Sequence, residues 1–170
     1  FFSKPCYLRF VFVVIVFFLI IHSFTTILER SFFMTYNIFI SHAWKYSEHY
    51  NKVVTWLNEA QAEGQFTWKN YSVPEHNPLI DPNTSAGKTT LKKELKEQIS
   101  PASKVIVLAG MYAAHSDWIE FEINTAVDKN KYIIGVKPWS QERIPNIVTN
   151  NSDVMVGWNK KSIIDAILNS

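Results

Sequence analysis

From Tyr36 onward, short apolar runs alternate with segments whose apolar residues recur at helical spacing, and this alternation constrains the fold more than any other feature of the chain. The runs are YNIFI (36–40), FTWKNY (66–71), KVIVLAG (104–110), YIIGVKPW (132–139) and DVMVGW (153–158). After the first of them Tyr50, Val53, Val54, Leu57 and Ala60 repeat at helical spacing as far as Gly64. Leu91, Leu95 and Ile99 do so up to Pro101, which stops the helix. Ile119, Ile123, Ala126 and Val127 predict the inward row of a third helix, and KKSIIDAIL a closing one. Five strands alternating with helices define an α/β protein with a parallel sheet covered on both faces. Right-handed crossovers then favour a flavodoxin-like, three-layer arrangement with strand order 2-1-3-4-5. Ligands of such sheets sit outside the carboxyl ends of the strands, where the order reverses between the first and third strands. The residues after Ile40 and Leu108 are therefore the ones expected to carry a site.

The segment before Met34 has a different composition. It holds nine of the twelve phenylalanines and the uninterrupted apolar run from Phe10 to Ile21. That run is shorter than the roughly 20 residues a spanning helix needs, and no small-residue cleavage site follows it. Residues 1–33 read as an apolar leader, either upstream translation ahead of Met34 or a weak membrane anchor, and residues 34–170 as one domain. A net charge of +2 with scattered Lys and Arg gives no basic stripe for nucleic acid. The single cysteine, Cys6, precludes a disulfide framework and points to a reducing compartment, the cytoplasm. Histidines at no paired spacing give no reason to expect a metal.

Four local motifs bear on chemistry. Ser41 and His42 follow the first strand at the expected switch point, although residues of these types also simply end a strand. GKTT (87–90) resembles the end of a phosphate-binding loop, but Pro82 stands where that motif needs its first glycine and no apolar strand leads into it. A polar loop from Ser72 to Lys88, with Thr89 or Thr90 capping a helix, is expected instead. WKNYSVPEHNPL (68–79) reads either as a rigid connection or as an aromatic and polar surface for a ligand. In SDWIEFEINTA (116–126), Asp117 with Glu120 fits a capping box, which gives Glu120 a structural task. Glu122 has no such task and stands four residues after Trp118, on the same helical row beside the expected crevice.

FISHAW after the first strand, KNYSVPEHNPL after the second, KVIVLAGMYAAHSDWIEFEI across the third strand and its helix, and IIGVKPW together resemble a TIR-like domain of the bacterial Thoeris antiviral signalling branch. The resemblance runs from Tyr36 to about Leu168. It implies an enzyme that consumes NAD+ as substrate, with no cofactor and no metal, by cleaving the nicotinamide glycosidic bond. A Trp-x-x-x-Glu arrangement maps the catalytic role onto Glu122, with Trp118 beside it. The matching motifs add Ser41, His42, Trp44, Ser72 and Tyr112 to Trp118 as substrate-binding candidates. The resemblance further implies self-association and a cyclic ADP-ribose-type signal for a downstream effector in antiphage defence. The same family contains non-catalytic adaptors that act through self-association, which is the alternative function. A phosphoacceptor receiver on this fold is set aside, because Ser41 and His42 replace the acidic pair that would hold Mg²⁺.

Overall fold

The computed structural model describes residues 34–41, 47–72, 84–137 and 144–170. The leader, and with it the question of an anchor, lies outside the described residues. Among the described residues no helix is long and apolar enough to cross a membrane. The strands are β1 (Thr35–Ser41), β2 (Thr67–Asn70), β3 (Lys104–Leu108), β4 (Tyr132–Val136) and β5 (Val154–Val156). They form one sheet in the order β2-β1-β3-β4-β5, and every pairing is parallel. The helices are α1 (Ser47–Ala62), α2 (Ser85–Ile99), α3 (Tyr112–Asp128), α4 (Asn146–Asn151) and α5 (Lys160–Leu168), with a 3-10 turn at Ala109–Met111 leading into α3. Contacts of α1 with α5, and of α3 with both α2 and α4, divide the helices between the two faces of the sheet.

Burial follows from this layering. All five residues of β3 are buried, as a central strand covered on both sides requires. Val53, Leu57 and Ala60 of α1 are fully buried, and Leu95 and Ile99 do the same for α2. At the end of α1, Gly64 takes a positive φ of 72° and the Gln65 N–H reaches back to the Ala60 carbonyl at 3.0 Å, closing the helix in the manner that favours glycine. The edge strand β2 is held by α1 side chains: Gln61 accepts the Trp68 N–H at 2.9 Å, and Asn58 accepts its indole N–H at 3.1 Å. Trp68 thus braces an edge, which answers part of the ambiguity over its loop.

Three local expectations are corrected. α2 begins at Ser85, not after Lys88. Its cap is Thr84, whose hydroxyl accepts the Gly87 N–H at 3.0 Å, while Thr89 and Thr90 donate their hydroxyls back to Ser85 and Ala86 carbonyls inside the helix. α3 begins at Tyr112, so Asp117 lies beyond the first turn and no capping box forms with the exposed Glu120. The inward row of α3 is also shifted. Val127 is 43% exposed, and Glu122 takes an inward place with Ile119, Ile123 and Ala126. The short α4 was not anticipated, since its six residues, NIVTNN, bury only Val148 and are too few to display a period.

Candidate functional site

β1 and β3 stay paired to the last residue of β1, where Ser41 lies opposite Val107. Ser41 is therefore delivered by the sheet itself to the carboxyl end of the first strand, at the reversal of strand order. Glu122 reaches the same point from α3. The spacing Ile119, Glu122, Ile123, Ala126 is that of a core-facing helical stripe, so the backbone obliges the glutamate to point inward. The Ser41 hydroxyl donates to Glu122 Oε2 in a hydrogen bond between two buried side chains, 1% and 6% exposed.

A carboxyl removed from water favours its neutral form, and burial pushes Glu122 up to about 8 even though the Ser41 hydrogen bond works in the opposite direction. The group therefore favours its protonated form near neutrality. None of the ion pairs among the described residues involves it. Such a group is costly to keep in a core, and its presence where the fold class binds ligands makes it a candidate functional position.

Ser72 joins the same neighbourhood by another route. Its Oγ accepts the Ile40 N–H at 2.9 Å, one residue before Ser41, and its own N–H donates to Asn70 Oδ1 at 2.9 Å. Asn70 in turn donates to the Tyr50 hydroxyl at 2.7 Å. Ser41, Ser72 and Glu122 are thus brought together. Trp118 is half-buried against the core, one helical turn before Glu122. Tyr112 is the first residue of α3, with its side chain outside the described ones, and His42 and Trp44 lie outside the described residues. The sequence reading placed Asn70 in a motif and Tyr50 in a helical row, but singled out neither as a site residue. An Asn two residues before a Ser at a strand end is the Asx-turn signal that would have found the first of them.

A parallel sheet of order 2-1-3-4-5 defines a flavodoxin-like α/β protein, and the buried carboxyl at the carboxyl end of its first strand is a candidate site at the switch point. Residues 39–143 match the family model of the Thoeris protein ThsB, TIR-like domain. The chain belongs to that family. No curated protein matches it. Among solved structures it is similar to the Clostridium botulinum CMP N-glycosidase BcmB, with 15% identity, 79% of this chain and 99% of that chain covered, and a TM-score of 0.50. That likeness is one of fold.

Proposed function

We propose that this domain cleaves a nucleotide N-glycosidic bond, that its substrate is NAD+, and that Glu122 is the catalytic residue. The observation that carries the reading is the buried Glu122 carboxyl, fastened by Ser41 at the carboxyl end of β1. Membership of the ThsB family supports it, and the occurrence of N-glycosidase activity on a similar fold, in BcmB, is consistent with it.

When the nicotinamide–ribose bond of NAD+ breaks, the bonding pair leaves with the ring nitrogen and neutralises its charge. Positive charge then develops on the ribose, shared by C1′ and the ring oxygen. A carboxylate in a poorly solvated cleft stabilises that cation far more than the same group in water. The cationic substrate also draws the Glu122 proton off, since a neighbouring positive charge favours the ionised form. Water attacking C1′ yields ADP-ribose, whereas a hydroxyl of the second ribose yields a cyclic isomer. In either case the nucleophile's proton passes to the Glu122 carboxylate, and NAD+ is consumed. Trp118 offers a ring for the nicotinamide to pack on. The cyclic product would serve as the signal to an effector in the cytoplasm, and weak self-association would accompany activity.

The test is nicotinamide release by the full chain, followed by chromatography. Glu122→Gln preserves shape and removes the ionisable group, and should lower turnover at least ~100-fold. Equal turnover would overturn the assignment. Release of a cyclic isomer supports the signalling reading, and exclusively linear ADP-ribose makes the protein an NAD+-depleting hydrolase.

A further inference from the structure

β1 outlasts its edge partner. The β1–β2 register ends with Ile38 opposite Asn70, and among the described residues the backbone link that follows on that side is the Tyr71 N–H to the Ile38 carbonyl at 2.8 Å. At Ser72 the chain bends. The Asn70 side chain makes the turn by accepting the Ser72 N–H, and the turn returns the Ser72 hydroxyl to the strand, where it accepts the Ile40 N–H at 2.9 Å. On the other side the β1–β3 ladder continues to Ser41 opposite Val107. Among the described residues, the end of β1 is thus met by backbone on one edge and by the Ser72 side chain on the other. From that fixed end the Ser41 hydroxyl meets one oxygen of Glu122, Oε2, and leaves the other to be presented elsewhere.

We propose that Ser41 and Ser72 are positioning residues for Glu122, Ser41 holding the carboxyl directly and Ser72 holding the strand end that carries Ser41. The proposal rests on the reading of Glu122 as the catalytic group. A role in stability alone accounts poorly for the arrangement. A buried hydroxyl and a buried carboxyl that face each other can be replaced by apolar groups of similar shape at little cost or with a gain, so folding does not require them. Retaining the carboxyl and anchoring it at one oxygen serves chemistry that depends on position.

The hydroxyl also favours the ionised carboxyl, against the burial that opposes it. Among the described residues, other charges on the elements packed around α3 are placed elsewhere. On α2, Lys92 and Lys96 lie over the Phe121 ring at 5.3 and 5.7 Å, Lys93 reaches Glu97, and Lys88 and Glu94 complete the charged set. Lys104 of β3 and Tyr132 of β4 lie at the opposite end of the strands, and α4 carries no ionisable side chain. On α3 itself, Asp117 and Glu120 are exposed. Among the described residues, burial and the Ser41 hydroxyl are the influences on the Glu122 proton.

Two readouts test the proposal in the full chain: the ionisation of the Glu122 carboxyl by carbon NMR, assigned with Glu122→Gln, and the pH profile of kcat/KM for nicotinamide release. Ser41→Ala should move both to higher pH by about one pH unit, the effect of losing one hydrogen bond to a charged group. Ser72→Ala, which leaves the Ser41 hydroxyl in place, should give a smaller shift in the same direction and a kcat lowered up to ~10-fold. Ser41→Thr, which keeps the hydroxyl, should stay close to the parent. A Ser41→Ala protein that is merely less stable, with the ionisation and the profile unmoved, overturns the proposal. If the NMR titration shifts as expected but the parent releases no nicotinamide, the positioning of Glu122 stands and the NAD+ reading falls.

Discussion

Removing the charge from position 122 should change how stability responds to pH, and the direction follows from the burial of the carboxyl. The folded chain holds the Glu122 proton up to about 8, against an ordinary value of 4.5. Between those values the unfolded chain has released a proton that the folded chain keeps, so stability falls as pH rises through the window and levels off above it. Linkage puts the loss at about 1 kcal/mol at pH 5 and about 3 kcal/mol at pH 7. Glu122→Gln has no such slope. Any constant cost of the amide, such as an imperfect partner for its NH₂, cancels when two pH values are compared. The stability of Glu122→Gln relative to the parent should therefore rise by about 2 kcal/mol from pH 5 to pH 7, a widening of roughly 5–10 °C in Tm for a domain of this size. Thermal unfolding of both proteins at several pH values and constant ionic strength measures it. Parallel curves would refute the argument that burial dominates the carboxyl. A gap moving the other way would mean that the native state holds the group ionised.

The same carboxyl predicts that kcat/KM for nicotinamide release rises with pH toward a limb near 8, because the free enzyme must lose the proton; a profile flat from pH 6 to 9 would remove Glu122 from that role. Gly135→Ala should cost about 1–3 kcal/mol in urea unfolding. Its Cβ would lie 2.3 Å from Met155 Sδ and 2.5 Å from Ser152 Oγ, and the serine is tied to the Val148 carbonyl at 2.7 Å. Thr84→Ala should cost about 1 kcal/mol through loss of the α2 cap, with turnover preserved. The segment between Ser72 and Ser85 is longer than the roughly 2–6 residues a strand-to-helix connection needs, and such excess length tends to be functional; removing residues 77–82 while retaining Thr84 should abolish self-association in sedimentation and activity together, with unfolding still cooperative, and surviving activity would make that segment a connector only.

Fold and site were legible to different degrees. The strand order followed from alternation, because β-rich runs separated by helical periods leave few topologies for a parallel sheet. Glu122 was legible as an oddity, but its place on α3 was misjudged by one position. Val127 was expected inside and Glu122 at the margin, since an apolar residue outbids a charged one in any pattern reading, whereas the spacing from Ile119 and to Ala126 already put position 122 on the buried stripe. The start of α3 was misread for a related reason. Asp117 and Glu120 have the spacing of a cap, but the chain is already helical from Tyr112, and a sequence signal for a boundary carries no information about helix that precedes it. The partnership of Ser41 with Glu122 spans 81 positions and arises only when α3 crosses the end of β1, which no local pattern encodes.

At the amino ends of the strands, Lys104 is buried with its ammonium between the rings of Tyr36 and Tyr132, at 5.0 and 5.1 Å. Its burial pulls the ammonium's proton affinity down, and it donates to the Ser170 carbonyl at 3.3 Å. A strand such as KVIVL, apolar on both faces, satisfies the core almost equally well when slid along its neighbours, so hydrophobicity sets its alignment only weakly. A lysine that must find two aromatic faces, one on β1 and one on β4, has no equivalent position one residue away. It acts as an index mark that aligns three central strands at one end, and the alignment is transmitted along their rigid length to the other. Whether Ser41 arrives opposite Glu122 is thus decided in part three residues further down the strands, by a side chain that never approaches the cleft.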